Sequence, residues 1–350
     1  MKPGEVAVSE AVHCTKFALM DPFSDQALAV ARNLRNSAGD IEVYAALETK
    51  ASVFEKLILR ISYGRADCLK ELASEGCVVI PTTYKATETV FSSANTEMTL
   101  PRISSQMMDV ADKIAMLQRA RELGVPIPGQ FSISELKNEN GSIPFFYKEK
   151  REQGGGRRGL AWSVADLPGD TTGLLLEEFI DTPGTYGVAF YASDGKIVEH
   201  TCHLEALSKP AAGGSAVLLK SISSPRLVEL TSRLVESLAY TGWGLAEFKW
   251  SDRKNDYVFM EINGKLWASC AFSFAVNPRL FEVAFDRHLK KRQKPPQRGF
   301  YPLRARTFPS WLVGVGLVAS RRGVWYVHPL RLALSISAML RRATALPRAR

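Results

Sequence analysis

The feature that most constrains the fold is an alternation of short apolar runs and helical stretches near the start of the chain. The segments "KFALMD" (16–21), "IEVYAAL" (41–47) and "CVVIPTT" (77–83) have the length and residue types of strands. Between them, "SDQALAVARNLRNS" (24–37) has apolar residues at helical spacing behind a capping Ser24 or Asp25, and "ADCLKELASEG" is also helical in pattern. This alternation predicts a small parallel α/β domain up to about residue 110.

The chain from there to residue 290 has a mixed pattern of helices and strands. A helix is predicted over 109–123, ending at Gly124 ahead of Pro126 and Pro128. Strands are predicted over 143–148, 173–180, 187–193 and 196–207, a helix over 225–242, and a two-stranded hairpin over 243–264. The predicted fold class is therefore α/β with α+β subdomains.

The charge of the 350 residues is unevenly distributed. The net charge is +9, yet residues 286–350 hold fifteen Lys and Arg against one acid, so residues 1–285 together carry −5. A basic tail of this kind predicts contact with an anionic membrane or a nucleic acid, or is simply a solvated end. The five cysteines are scattered without a CxxC pair and no signal peptide opens the chain, which favours a reducing, cytoplasmic compartment.

Three consecutive glycines, Gly154, Gly155 and Gly156, lie between basic residues directly after the predicted strand "PFFYK". The segment lacks the GK[ST] ending of a P-loop and the GxGxxG pattern of a dinucleotide fold. Its spacing alone leaves two interpretations open, a phosphate-binding loop and a polar turn.

Two carboxylates and an amide stand out in the predicted hairpin. Glu261 and Asn263 are two residues apart in a strand and therefore share a face, and the hairpin can bring Glu247 beside them. Oxygen ligands of this kind suit Mg²⁺, although the same residues could also line a solvated strand face. Glu247 lies among apolar neighbours, where a carboxylate is costly without a partner, and this favours the metal interpretation.

The order of motifs resembles the ATP-grasp superfamily of carboxylate–amine ligases, within a branch of ATP-dependent carboligases. The resemblance covers about residues 15–290. It rests on six ordered segments: "DKIAMLQRARELGVPIP", "PFFYKEKREQGGGRRG", "LLLEEFI", "KPAAGGSAV", "GWGLAEFKW" and "MEINGKLWAS". The resemblance implies four parts: an N-terminal pre-ATP-grasp domain (1–110), a lid subdomain with a glycine-rich flap (111–180), a C-terminal subdomain with the metal site (181–290) and the basic tail (291–350).

The resemblance also implies roles for individual residues. ATP phosphates would be contacted by Lys113, Lys148, the flap glycines Gly154, Gly155 and Gly156, and the arginines Arg157 and Arg158. The adenine hinge would be Glu177, Glu178, Phe179 and Ile180. Magnesium, or manganese in its place, would be bound by Glu247, Glu261 and Asn263. Lys265 and Lys209 would be catalytic, because they and His203 stand where relatives carry arginines that contact the γ-phosphate or the substrate carboxylate.

The implied activity is an ATP-dependent ligase that activates a carboxylate as an acyl phosphate for attack by an amine and forms a C–N bond. The partners would be small-molecule carboxylate and amine substrates, with a homodimer and a peripheral membrane contact of the tail as further expectations and nucleic acid disfavoured. The alternative is a catalytically impaired ATP-binding protein whose basic tail binds an anionic membrane or nucleic acid.

Overall fold

The structure is a computed structural model that describes residues 16–37, 41–47, 53–93, 99–100, 103–138, 144–151, 156–182, 184–209, 215–285 and 300–302. Of the predicted features, Gly154, Gly155, most of the "KPAAGGSAV" segment and nearly all of the basic tail lie outside these residues. The side chain of Lys209, the last residue of its strand, is likewise not described.

The N-terminal part is a parallel sheet with helices packed on it. Its strands are β1 (Lys16–Leu19), β2 (Glu42–Leu47), β3 (Ala66–Cys68) and β4 (Val78–Ile80), in the spatial order β3-β2-β1-β4. The helices are α1 (Asp25–Ser37), α2 (Val53–Tyr63), α3 (Leu69–Ser74) and α4 (Tyr84–Ser92). All of the pairings between these strands are parallel, which confirms the predicted small parallel domain.

One helix predicted here is too long. The pattern of "ADCLKELASEG" predicts a helix throughout, but Ala66–Cys68 pairs with β2 as a strand and the helix begins only at Leu69. These three residues form a strand because their backbone groups can hydrogen-bond to those of β2, which would otherwise be unpaired at the edge of the sheet.

The second sheet is small and antiparallel. It contains β5 (Gln130–Phe131), β6 (Phe145–Glu149), β7 (Arg158–Ala161) and β8 (Leu174–Glu178), in the order β5-β8-β6-β7. A short helix α7 (Ile133–Asn138) and a 3₁₀ turn (Val164–Asp166) complete this lid sheet. β6 and β7 are the two strands that flank the glycine-rich segment, and β6 is the strand predicted before it.

The third sheet has six antiparallel strands and forms the floor on which the site is built. They are β9 (Tyr186–Ser193), β10 (Lys196–Lys209), β11 (Ser215–Ile222), β12 (Gly242–Ser251), β13 (Asp256–Asn263) and β14 (Phe300–Pro302), ordered β13-β12-β9-β10-β11-β14. The hairpin predicted over 243–264 is β12–β13. The sequence pattern does not predict β11 and β14.

Five further helices connect these layers. They are α5 (Ser105–Asp109), α6 (Lys113–Glu122) and α8 (Pro225–Ser237), with α9 (Cys270–Val276) followed directly by α10 (Pro278–Phe285). The predicted helix over 109–123 begins later, because the Asp112 side chain accepts a hydrogen bond from the Ala115 N–H and so caps the chain at that point. The predicted helix over 225–242 is also shorter and ends at Ser237.

One hydrophobic core joins the parallel domain to the six-stranded sheet. Phe17 of β1 contacts Phe285 of α10 edge-on at 6.4 Å, and Phe285 stacks on Phe281 at 4.2 Å between ring centroids. Trp243 of β12 lies 5.8 Å from Phe285. Aromatic contacts of this kind hold β1, α10 and β12 in fixed relation, so the start of α1 and the β12–β13 hairpin face a common cavity.

Candidate active site

The β12–β13 hairpin places two carboxylates side by side. In the antiparallel register Glu247 is directly opposite Glu261, and Asn263 Nδ2 lies 3.4 Å from Glu261 Oε1. Burial raises the pKa of Glu247 well above its ordinary value, and the neighbouring Glu261 raises it further. The raised pKa favours the neutral form of Glu247, and a bound cation would oppose that shift.

Glu261 behaves differently because two lysines face it. Burial alone would raise its pKa, but Lys113 and Lys148 outweigh burial and hold the pKa of Glu261 below its ordinary value. The Lys113 Nζ lies 3.2 Å from Glu261 Oε2, and both groups are largely shielded from water. Lys113 is the first residue of α6, so its position is fixed by the capped start of that helix.

Lys148 connects the lid sheet to the floor. Its Nζ lies 2.8 Å from Glu177 Oε2 within the lid sheet and donates to the backbone carbonyl of Met260 on β13 at 3.3 Å. Burial raises the pKa of Glu177, and the Lys148 ammonium opposes that shift. Lys148 therefore lies where a ligand clamped between the two sheets would meet a positive charge.

These residues border a cavity of about 300 Å³ between the lid sheet and the six-stranded sheet. A volume of this size lies at the lower end of the range for small-molecule sites. Ten of the predicted site residues line it: Lys113, Lys148, Arg158, Glu178, Phe179, Ile180, Glu247, Glu261, Asn263 and Lys265. The structure thus brings together groups from α6, both sheets and the loop after β13, which are distant in sequence.

Two predicted ligand residues lie differently from the expectation. Glu177 is fully buried against Lys148 and does not line the cavity, where Glu178 lies instead. The half-buried Arg157 guanidinium donates to Glu149 Oε1 at 2.8 Å and to the backbone carbonyls of Asp170 and Thr172. It therefore holds the start of β7 against the turn at 170–172 and does not line the cavity.

Two more residues that the resemblance singled out, His203 and Gly156 of the flap, are among the described residues. His203 is buried edge-on against Phe272 and is not among the cavity residues, so it does not reach the position that the resemblance implied. Gly156 has a φ of 65°, a left-handed conformation that glycine adopts at no steric cost.

The structure also adds cavity residues that the sequence analysis missed. Lys249 and Glu205 line the floor beside Glu247, and Gln26 and Ser269 line the side nearest the parallel domain. Burial lowers the pKa of Lys249, and the carboxylates of Glu205 and Glu247 oppose that shift. Lys249 follows Glu247 by two residues in β12, so strand alternation could have identified it, whereas Glu205 and Gln26 reach the cavity only through tertiary contacts.

The donor set of the cluster suits magnesium better than a metal that needs many protein ligands. Among the described residues no group of three or more His, Cys, Asp and Glu is placed to bind a metal ion. Two carboxylates and one amide are instead the kind of partial oxygen shell that Mg²⁺ completes with water and substrate phosphate oxygens. The residues present therefore fit Mg²⁺ bound together with a phosphate-bearing ligand.

Comparison with known proteins gives a clear result only at the level of structure. No family model matches the chain, and no curated protein matches it. Among solved structures, biotin carboxylase from Campylobacter jejuni is similar with a TM-score of 0.61 and 16% identity, over 81% of this chain and 74% of that one. An ATP-grasp superfamily protein from Archaeoglobus fulgidus is similar with a TM-score of 0.56 and 15% identity, over 81% and 91%.

The chain has the ATP-grasp fold. An L-amino acid ligase from Bacillus licheniformis shares it, with a TM-score of 0.56 and 12% identity over 79% of this chain and 75% of that one. The ATP-grasp fold predicted from the order of motifs is confirmed. Sequence identities this low establish only that the fold is shared, so the reaction must be inferred from the residues of the cavity.

Proposed function

We infer that the protein is an ATP-dependent ligase that joins a carboxylate to an amine. One observation carries the inference: cationic Lys113, Lys148, Arg158 and Lys265 and the carboxylates Glu247 and Glu261 border the same cavity between two sheets. Cations suit the triphosphate of ATP, and the carboxylates with Asn263 suit the magnesium ion that accompanies it. The solved structures that share the fold include a ligase and carboxylases, which supports the same class of reaction.

The nucleotide would lie along the cavity with its base toward the lid. Phe179 and Ile180 provide apolar contact there, and Glu178 is held in place by the Gly129 N–H at 3.0 Å and by Arg253 at 3.0 Å. The triphosphate would extend toward Lys113 and the hairpin carboxylates. Glu247, Glu261 and Asn263 would hold magnesium, which would neutralise negative charge on the triphosphate.

The chemistry needs no nucleophile from the protein. An oxygen of the substrate carboxylate attacks the γ-phosphorus and ADP leaves, which gives an acyl phosphate. The amine then attacks the acyl carbon, inorganic phosphate leaves, and the amine gives up a proton. Lys113, Arg158 and Lys265 contribute by stabilising negative charge that develops on the transferring phosphoryl group, and Lys148 by holding the nucleotide between the sheets.

Lys265 is the residue best placed for the carboxylate substrate. It is largely buried, it lines the cavity beside Asn263, and its positive charge opposes the rise that burial causes in the pKa of Glu247. A lysine offers a point charge and not the two parallel hydrogen bonds of an arginine, so one oxygen of the substrate carboxylate would remain available for attack. Lys209 stays a prediction, because its side chain lies outside the described residues.

The test is release of ADP and phosphate from Mg²⁺-ATP in the presence of paired carboxylates and amines. The proposal predicts turnover that requires both acceptors and is lost in Lys265→Met, with Lys265→Arg retaining part of it. Mg²⁺-ATP binding without turnover for any pair would favour the alternative, a catalytically impaired ATP-binding protein with a basic tail. Absence of nucleotide binding would contradict both.

A further inference from the structure

Helix α2 carries an apolar stripe on the surface of the parallel domain. Val53, Leu57 and Ile61 are spaced by four residues and are 88%, 55% and 76% exposed. Residues four apart lie on the same side of a helix, so the three side chains form one line facing solvent. The opposite side of α2 is buried through Ile58 and Leu59. Three aligned apolar side chains with this exposure make the outer side of α2 a candidate contact surface.

Basic residues lie beside this stripe. Lys56 and Arg60 are exposed on α2, and Arg32 and Arg35 are exposed on the adjacent α1. The groove between the two helices has a volume of about 340 Å³ and is lined by both α1 arginines together with Leu28, Ala31, Asn36, Ser62 and Tyr63. Glu55, the single acidic residue in the sequence of α2, is only partly exposed. The surface therefore offers an apolar line next to a cationic groove.

A second copy of the chain fits this surface poorly. Antiparallel pairing of two α2 helices about Leu57 would cover the stripe, but the same flank of each helix would then meet its symmetry mate. Lys56 and Arg60 would face Lys56 and Arg60 of the second copy, and like charges at that distance repel. The occupant should instead carry negative charge next to apolar groups.

An anionic lipid surface has both properties. We propose that the α1–α2 surface docks on an anionic membrane, with Val53, Leu57 and Ile61 entering the boundary between headgroups and acyl chains. Arg32, Arg35, Lys56 and Arg60 contact lipid phosphates in this arrangement. Because the stripe is short, the contact in this arrangement is peripheral and reversible. No helix in the described part of the chain is long and apolar enough to cross a membrane.

The docking surface is close to the catalytic cavity. Gln26 at the start of α1 lines the cavity, and Arg35 lies nine residues further along the same helix, roughly 14 Å away at 1.5 Å per residue. A protein docked through α1 and α2 would therefore hold its cavity near the lipid surface. The excess positive charge of residues 286–350 has the sign that would reinforce this attraction.

The test is co-sedimentation of the full chain with vesicles of phosphatidylcholine alone and of phosphatidylcholine mixed with phosphatidylglycerol. We expect salt-sensitive binding to the mixed vesicles only. The double variant Val53→Ser with Ile61→Ser and the double variant Lys56→Glu with Arg60→Glu should each weaken binding by about tenfold or more. Val198→Ser is the matched control, because Val198 is 51% exposed on β10 outside this surface and should bind like the wild type.

Several results would overturn the proposal. Wild-type binding that both double variants retain would assign the lipid contact to another basic segment. A Lys56/Arg60 effect without a Val53/Ile61 effect would indicate free phosphate or an acidic polypeptide. Dimerisation measured by light scattering that disappears in the Val53/Ile61 variant, with no vesicle binding, would assign the stripe to a second copy. Mg²⁺-ATP binding should be the same in all of these variants, which separates this proposal from the proposed function.

Discussion

The Lys113 ammonium and the Glu261 carboxylate lie 3.2 Å apart, one at the first residue of α6 and the other on β13. Burial raises the pKa of both hairpin carboxylates, but Lys113 helps to hold the pKa of Glu261 below its ordinary value while that of Glu247 stays raised. Binding of Mg²⁺ with a triphosphate would supply new partners to both groups, the cation for Glu261 and a phosphate oxygen for Lys113. The Lys113–Glu261 ion pair should therefore affect both the free energy of unfolding and the binding of Mg²⁺-ATP in the cavity.

Removing the lysine should destabilise the protein when no divalent cation is present. Breaking a buried ion pair from one side leaves an uncompensated charge, so Lys113→Met should lower the free energy of unfolding by about 3 kcal/mol. Urea unfolding in a chelator measures this. The control is Lys113→Met with Glu261→Gln, which removes both charges and should recover much of the loss. A single variant as stable as the wild type would show that the pair contributes nothing.

Magnesium-dependent nucleotide binding should strengthen as the pH rises. The pKa of Glu247 is raised by burial and then by Glu261, so a proton on Glu247 competes with a bound cation. As the pH falls, Glu247 is protonated in a larger fraction of the molecules, and the affinity for Mg²⁺-ATP should fall. Calorimetry at several pH values measures the dependence, together with proton release on binding. Glu247→Gln should bind more weakly and show a flatter pH profile.

His203 should make the fold sensitive to acid. Burial lowers the pKa of His203 from 6.5 to about 4, and its Nδ1 has no hydrogen-bond partner among the described groups. Below pH 6.5 His203 is protonated in the unfolded chain, whereas in the folded protein it stays neutral down to about pH 4. The free energy of unfolding therefore decreases as the pH drops from 6.5 to about 4.

The size of this effect follows from the two pKa values. At pH 5 the wild type should have lost about 2 kcal/mol relative to pH 7.5 from this residue alone. The difference in unfolding free energy between the wild type and His203→Gln isolates the effect, since other groups titrate in both. A difference that stays constant between the two pH values would show that His203 is not buried as a neutral ring.

Gly264 should tolerate no side chain. A Cβ at this position would lie 2.4 Å from the Met107 carbonyl oxygen and 2.7 Å from Val110, because α5 and the turn after it pack directly on the chain that follows Asn263. Gly264→Ala should therefore cost about 1–3 kcal/mol and weaken Mg²⁺-ATP binding by displacing Asn263. Gly169→Ala is the control, since nothing lies within 4 Å of its Cβ. Equal stability of the two variants would contradict the close packing.

The sequence is informative where a functional pattern is local. Glu261 and Asn263 share a strand face by alternation, and a hairpin needs only short-range pairing to bring in Glu247, so the amino-acid pattern alone places these three together. The alternation of strands and helices predicts the parallel domain for the same reason. The ordered motifs then identify the ATP-grasp fold.

The sequence is less informative where tertiary contacts decide. Arg157 follows the glycines and resembles a phosphate ligand, yet the turn at 170–172 offers it carbonyl partners that no local pattern reveals. Glu177 and Glu178 are adjacent acids that the sequence does not distinguish. Only the pairing of β8 with β6 shows that Glu177 is buried beside Lys148, whereas Glu178 lines the cavity. Glu205 reaches the cavity from β10, a strand paired with neither strand of the hairpin, so its role in the floor depends on the order of the sheet.

The measurement that tests the central claim most directly is calorimetric binding of ATP with and without Mg²⁺, on the wild type and on the double variant Glu261→Ala with Asn263→Ala. The account predicts binding by the wild type that depends on Mg²⁺ and is lost in the double variant, while the exposed control Val198→Ser binds normally. Absence of ATP binding by a folded wild type, or equal binding by the double variant, would contradict the assignment of this cavity to Mg²⁺-ATP.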